Sequence, residues 1–339
     1  MRGFKRFDAS KVTEEMKASL RATVSKDPRA ALEALYQVAA AYIQPAIRAG
    51  IMPGDIVGDI FEMNPFDPGQ ETRYPLDFIS PGTEHEYVAY TVANQGYVPH
   101  LVVEGDSVMI PTFQSTASMD MNKRYAQFAR WDVFSRVIEV LESMATKKRN
   151  DDGWHVILGA GLDRNVISYD SAATAGQFTK RLVSLMKLIM RRNGGGNSTS
   201  INRFILTDLY ISPEGHEDIR NWGLDQIDEV TRREIYVSRD DQITQIFQVF
   251  LHALDELGED QEYQLFFLNE LGGALQASDT ELVVGLDLQT APVFKMPVVQ
   301  EAEIFPDEAH RRSKKLSWWL ETEYGVGILD NRPVLLGSY

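Results

Sequence analysis

The sequence predicts an α+β fold, and three observations lead to that prediction. Apolar residues recur at spacings of three and four in two long segments, as they do on the buried face of a helix. Short β-type runs bounded by Gly and Pro occur elsewhere, in no regular alternation with the helices. The 339 residues exceed the roughly 250–300 that one hydrophobic core usually supports, so we expect more than one subdomain.

Composition excludes several classes of protein. The chain is 44% hydrophobic, which is enough for a substantial core. Its 34 Lys and Arg against 49 Asp and Glu leave a net charge of −15, which argues against tight, extended phosphate binding. There is no Cys, hence no disulfide and no thiolate chemistry. No run of 18 apolar residues and no signal-peptide core occur, so we expect a soluble protein without a membrane partner.

The first residues of the chain differ in charge from the rest. Residues 1–30 carry a net charge of +4, which leaves −19 for the remainder. Segment 12–48 has the apolar stripe of a helix, which Pro45 should end or kink. Two interpretations stay open: an arm that lies on an acidic neighbouring subunit, or a solvated amphipathic helix.

Residues 50–120 form a segment of short β-type runs separated by Pro and Gly. The runs lie at 86–92, 98–103 and 107–113. Because they are short and interrupted, they cannot easily enclose a core of their own. We expect a long two-stranded excursion that packs on something else, and an ordinary small β-subdomain is the alternative.

Two helices are predicted to follow. The longer spans 122–148, with Leu141, Met144 and Ala145 on its buried face, and would be about 40 Å long. The second spans 172–192, with Ser171 as its N-cap. Residues 194–196, three glycines, end it and begin a flexible loop.

The remaining elements are predicted from local signals. We expect a strand at 203–211, a helix capped by Ser212 with Pro213 at its first position and running to Trp222, and strands at 262–268, 281–288 and 294–299. Residues 324–339 contain two apolar runs around the turn-forming 330–333. They predict two strands, the last of them anchored inside a sheet.

A search for chemistry gives no catalytic, cofactor-binding or metal-binding residue, and no cofactor. The glycines at 194–196 lack the following Lys and Ser or Thr of a phosphate loop. Arg220 stands where a zinc helix that starts at His216 needs its second His. A carboxylate cluster is typical of a solvated loop, although paired acids can do acid–base work. That cluster consists of Asp255, Glu256, Glu259, Asp260 and Glu262.

Several short segments of the sequence, and the order of the elements, resemble the major capsid proteins of tailed bacteriophages, which have the Hong Kong ninety-seven-type fold. The segments are 210–214 (YISPE) continuing to 218–222, 231–235 (TRREI), 281–288 (ELVVGLDL), 294–298 (FKMPV) and 324–336. The resemblance covers nearly the whole chain, but no invariant catalytic motif carries it.

The resemblance implies a division of the chain. Residues 1–50 would be the N-terminal arm and 51–118 the extended loop, a β-hairpin. Residues 119–192 and 305–339 would be the peripheral domain with its long spine helix, and 193–304 the axial domain. Only about 50 residues precede the excursion, so scaffolding would be a separate protein or a segment cleaved before this numbering starts. The glycines at 194–196 would adjust the angle between neighbouring subunits.

The implied function is structural and not enzymatic. Subunits would self-assemble through pentamers and hexamers into an icosahedral or prolate shell that encloses double-stranded DNA without sequence-specific binding. Scaffolding and portal proteins would be partners, with a decoration protein as a further candidate. The protein would be assembled in the host cytoplasm and reside in the virion. Two alternatives remain: an encapsulin-type compartment, and a soluble α+β enzyme that uses carboxylate chemistry.

Overall fold

The computed structural model describes residues 56–76, 106–122, 131–174, 176–193, 204–222, 245–276, 279–307 and 315–339. The expected arm helix at 12–48, the β-type runs at 86–92 and 98–103, and the glycine loop at 194–196 lie outside the described residues.

Helices and strands mix along the described chain, as the predicted α+β class requires. The helices are α1 (Ile56–Ile60), α2 (Trp131–Asp163), α3 (Lys180–Asn193), α4 (Pro213–Asn221) and α5 (Glu262–Leu265), with a 3-10 turn at Asp255–Leu257 and a π-helical turn at Phe266–Glu270. The strands are β1 (Glu62–Pro65), β2 (Arg73–Leu76), β3 (Asp106–Met109), β4 (Phe113–Asn122), β5 (Ile167–Ser168), β6 (Asp208–Ile211), β7 (Gln245–Ile246), β8 (Val249–Ala253), β9 (Leu282–Leu286), β10 (Phe294–Asp307), β11 (Lys315–Tyr324), β12 (Gly327–Ile328) and β13 (Val334–Ser338).

The described residues form two compact units. The first contains 56–72, 110–153 and 296–326, and the second contains 73–109, 154–295 and 327–339, less the residues outside the described ranges. Helix α2 and strand β10 each contribute residues to both units. The boundaries predicted for arm, loop, peripheral domain and axial domain stay predictions.

The sheet of the first unit has the order β1-β10-β11-β4, and β10 with β11 and β11 with β4 pair antiparallel. Successive side chains of a strand point to opposite faces, so alternate residues of β11 divide into two sets. Trp318, Leu320 and Tyr324 are buried on one face. Trp319, Glu321 and Glu323 lie on the other, which is only half-buried. One side of this sheet therefore faces a core and the other does not.

The sheet of the second unit has the order β5-β13-β9-β6-β8-β7. Strand β13 lies between β5, to which it is parallel, and β9, to which it is antiparallel. All five residues of β13 are buried. The prediction that the last strand is anchored inside a sheet is confirmed. The two tail strands do not pair with each other, because β12 pairs instead with the start of β10.

Helix α2 is longer than predicted and ends at Asp163 instead of at residue 148. Gly153 lies inside the helix and against Val57. A Cβ on Gly153 would come within 2.5 Å of the Val57 side chain, so glycine serves close packing here. Residue 122, the predicted start, belongs to β4. Met144, predicted to be buried, is 48% exposed.

Two further predictions were wrong. Helix α3 starts at Lys180 and not at residue 172, and the hydroxyl of Thr179, not that of Ser171, accepts the N–H of Leu182. Residues 262–268 are helical, not a strand. Tyr263 and Phe267 are both buried at a spacing of four, the helical period, although their aromatic rings suggested β structure.

Local signals were reliable elsewhere. Helix α4 starts at Pro213, and Ser212 accepts the N–H of Gly215 as the predicted N-cap. Strands at 281–288 and 294–299 are confirmed as β9 and the longer β10. The strand expected at 203–211 is regular only from Asp208 onward.

Candidate assembly surfaces

A buried polar cluster lies where the last strand meets the start of α4. Oη of Tyr339 donates to Oε2 of Glu281 at 2.6 Å and lies 2.6 Å from Oγ of Ser212. Ser212 donates in turn to the same Oε2. Ser212 is fully buried, and Glu281 and Tyr339 are 6% and 4% exposed. A serine beside a carboxylate could suggest a nucleophile, so its bonding decides its role.

The bonding of this cluster indicates an anchor. Burial raises the pKa of Glu281, although the hydroxyls of Ser212 and Tyr339 bond to its carboxylate and oppose the rise. Ser212 also accepts the backbone N–H of Gly215, which makes it the cap of a helix. The backbone N–H groups of Thr280 and Glu281 donate to the carbonyl of Tyr339 at 2.9 and 3.0 Å. These bonds fix the end of the chain to its own sheet.

The carboxylate cluster that the sequence suggested for acid–base work lies on the surface. Asp255, Glu259, Asp260 and Glu262 are exposed, and Glu256 is half-buried. They lie on the 3-10 turn after β8 and in the loop that leads to α5. Exposure and solvent screening leave them without the enclosed environment that tunes paired acids for catalysis.

The histidines within the described ranges have packing or pairing contacts. The ring of His155 stacks on Phe266, with centroids 3.6 Å apart, and Nε2 of His252 lies 2.9 Å from Oδ1 of Asp208. His216 is buried on α4. Within these ranges, no three His, Asp or Glu side chains are grouped as they would be around a metal ion. None of the described helices has both the length and the apolar character needed to cross a membrane.

Tryptophan side chains, which sequence could assign to either core or interface, lie mostly in the core. Trp154 and Trp318 are fully buried and Trp222 is 6% exposed. Trp154 packs between Tyr210 and Tyr263, with centroids 4.9 and 5.9 Å away. Among the four tryptophan side chains that the structure describes, Trp319 is the half-buried one, and it lies on the open face of the first unit's sheet.

That open face of the first unit is acidic. Glu303 on β10 is directly opposite Glu321 on β11, and Glu323 follows two residues later on the same face. Beside them, Phe305 packs on Trp319 with ring centroids 4.9 Å apart. Like charges opposite each other in a sheet are unfavourable, so this face suits a cationic segment. We call Glu303, Glu321 and Glu323 the acidic face.

The described base of the excursion is a two-stranded antiparallel ribbon, as predicted. Strands β2 and β3 pair from Arg73 with Met109 to Leu76 with Asp106, and 29 residues (77–105) lie between them. Val108 and Met109 are 38% and 57% exposed. Apolar side chains on a ribbon with no further strand beside it among the described residues are typical of a contact surface.

Comparison of structures identifies this fold. It is the Hong Kong ninety-seven-type fold of phage capsids. The capsid of cyanophage P-SCSP1u matches with a TM-score of 0.55 and 9% identity, over 84% of this chain and 88% of that chain. The capsid of an empty GTA particle matches with 0.54 and 9%, over 84% and 90%. A structure from Mycobacterium phage Bobi matches with 0.54 and 12%, over 84% and 90%.

No protein-family model and no curated protein matches the sequence. At identities of 9–12% the likeness establishes the fold and leaves function to be argued.

Proposed function

We propose that this chain is the major structural subunit of a tailed-phage capsid. Copies of it assemble through pentamers and hexamers into an icosahedral or prolate shell that encloses double-stranded DNA without reading its sequence. The likeness of fold to the cyanophage capsid, over 84% of the chain, carries this proposal. Scaffolding and portal proteins are its further partners, a decoration protein is another candidate, and the virion is its destination after assembly in the host cytoplasm.

The excursion supports assembly because it lacks a core of its own. Its described base exposes Val108 and Met109, and the 29 residues beyond are interrupted by two Pro and three Gly. Apolar surface of this kind is covered in an obligate complex, where interfaces bury roughly 2,000–5,000 Å². The excursion of one subunit would then pack on its neighbours, and the subdomain boundaries at 50, 118, 192 and 304 belong to this proposal.

The acidic face supports the arm interpretation of residues 1–30. The arm has a net charge of +4 in a chain of −15, and Glu303, Glu321 and Glu323 provide an anionic surface for it. Opposite charges on two surfaces steer association and fix its register more than they add affinity. An arm from one subunit on the acidic face of another would tie adjacent copies together.

Neither alternative gains a specific observation. The enzyme alternative depends on the carboxylates at 255–262, which lie on the surface. The compartment alternative shares the shell fold and differs in its contents, and the likenesses described above are to phage and GTA particles.

Electron microscopy and sedimentation of the purified chain test the proposal. We expect rings and closed shells whose amount increases with protein concentration, because heterologous contacts related by a closing rotation generate rings. Particles that copurify with nucleic acid favour the virus, and particles filled with a host enzyme favour the compartment. A small discrete oligomer or a monomer at all concentrations contradicts both shell functions.

A further inference from the structure

A basic surface on the second unit is formed by α3 and the β7–β8 hairpin. Helix α3 carries five Lys or Arg and no acidic residue, in a chain of net charge −15. Nζ of Lys187 donates to the backbone carbonyl of Phe247 in the hairpin turn at 2.6 Å, and Nζ of Lys180 lies 5.3 Å from the centre of the Phe247 ring. Leu188 on the same helix is 44% exposed. We call Lys180, Lys187, Leu188 and Phe247 the basic patch.

The turn at the tip of the hairpin has an unfavourable backbone for its residues. Phe247 and Gln248 have φ values of 52° and 64°, the values of a two-residue turn that normally takes Asn-Gly. A bulky residue with positive φ is strained, and the Phe247 side chain is nevertheless 38% exposed. Strain of this kind persists at binding sites, where a partner covers the side chain.

An acidic loop lies at the opposite end of the same strand. Strand β8 starts directly after the Phe247–Gln248 turn and ends at Ala253, and the exposed acids Asp255, Glu259 and Glu262 follow. At about 3.3 Å per residue, the five residues of β8 place the two ends roughly 17 Å apart. Leu265, one turn beyond Glu262, is 38% exposed. Both surfaces therefore combine charge with an exposed apolar side chain, and their charges are opposite.

We propose that the basic patch of one subunit binds the acidic loop, residues 255–262 with Leu265, of the next subunit in a ring. The inference rests on the proposed function and names the contact that closes pentamers and hexamers. Two different surfaces at opposite ends of one strand make a head-to-tail contact, which generates rings. DNA is the other polyanion available. Its phosphates would leave Phe247 and Leu188 without an apolar partner, whereas the acidic loop brings Leu265.

Charge reversal tests this contact in the full-length chain. Lys180→Glu and Glu259→Lys should each lower the yield of rings and shells at least tenfold at low salt, because each places like charges at positions 180 and 259 of every contact. The double variant should recover assembly. Asp163→Lys, at an exposed position of α2 that belongs to neither surface, makes the same change of charge as Glu259→Lys and should assemble normally. If the unfolding midpoints of the variants equal that of the wild type, a loss of assembly is not caused by a loss of folding.

A mixture of the two single variants gives a sharper test. Copies that alternate around a ring present normal charges at one contact and swapped but still opposite charges at the next. Alternation closes in a hexamer and cannot close in a pentamer, so we expect hexamers and no closed icosahedral shells. If the wild type assembles and every variant gives the same yield of particles, the proposed contact alone is overturned. A wild type that never assembles would overturn both the contact and the proposed function.

Binding of a DNA duplex distinguishes the remaining possibility. If Lys180→Glu weakens binding of the duplex by assembled particles and leaves their yield unchanged, the patch faces nucleic acid and the proposed contact is wrong. Unchanged DNA binding with lost assembly supports the contact.

Discussion

Oη of Tyr339 donates a 2.6 Å hydrogen bond to Oε2 of Glu281, although 58 positions separate the two residues. Ser212 completes the cluster from 127 positions away from Tyr339. Both hydroxyls donate to the same carboxylate oxygen of Glu281. Burial nevertheless raises the pKa of that carboxyl group above its ordinary value. The cluster thus joins the last strand to the start of α4 through a buried and protonatable group.

Removal of the Tyr339 hydroxyl should destabilise the subunit. Tyr339→Phe keeps the ring and leaves Ser212 and Glu281 short of a buried partner, which costs about 1–3 kcal/mol. Urea unfolding under conditions that hold the chain unassembled measures this loss. Tyr169→Phe is the matched control, since Tyr169 is 42% exposed, and it should change the free energy of unfolding by less than about 0.5 kcal/mol. Equal effects of the two changes would contradict the anchor.

The free energy of unfolding should depend on pH through Glu281. Its pKa is raised above the ordinary 4.5 in the folded state, chiefly by burial, so the folded protein holds a proton that the unfolded chain has released. That contribution is complete below pH 4.5 and is lost as the pH rises through the folded-state pKa. The wild-type protein should therefore lose stability relative to Glu281→Gln over this window and then reach a plateau.

Unfolding measured for both proteins at closely spaced pH values gives this difference directly. Asp218, whose pKa burial also raises, is present in both and cancels to first order. If the stability of the wild type relative to Glu281→Gln does not change with pH, the pKa of Glu281 is not shifted by folding; if it rises with pH, that pKa is lowered. Either result would contradict the prediction.

Two glycines of α2 should respond in opposite directions to alanine. A Cβ on Gly161 would lie 2.5 Å from Cγ of Leu336 in the buried strand β13, so Gly161→Ala should cost about 1–3 kcal/mol through overpacking. Gly159, two residues earlier in the helix, has no atom within 4 Å of such a Cβ. Gly159→Ala should stabilise the helix by about 0.5–1 kcal/mol. Thermal unfolding ranks the three proteins, and the same sign for both variants would refute the close approach.

Elements that depend on neighbouring residues could be predicted from the sequence. Helix α4 follows from Ser212 and Pro213 at its start, and β9 and β13 follow from short apolar runs beside turn residues. The signals that cap a helix or bound a strand act within a few residues, so they are visible in the chain.

Features that depend on distant residues could not be predicted. Gly153 and Gly161 lie inside α2 and pack against Val57 and Leu336, which are far away in the sequence, so neither packing role is visible locally. The Ser212–Glu281–Tyr339 cluster joins three separate elements and has no local motif. The acidic face depends on the register between β10 and β11, which places Glu303 opposite Glu321, and register is not encoded by either strand alone.

A double-variant cycle tests whether the basic arm lies on the acidic face. Lys11→Gln with Lys17→Gln removes two positive charges from the arm, and Glu303→Gln with Glu321→Gln removes two negative charges from the face. If the two surfaces meet, each pair of changes weakens assembly at low salt, and all four together weaken it no more than one pair does. The free energy of unfolding of the subunit itself should change by no more than about 1 kcal/mol, because both carboxylates are only half-buried. Asp163→Asn with Glu270→Gln removes two exposed negative charges elsewhere and should leave assembly unchanged. If the effects of the two pairs of changes on assembly add, the arm and the acidic face do not contact each other. If the pair of changes in the arm has no effect, the interpretation of residues 1–30 as a solvated helix is favoured.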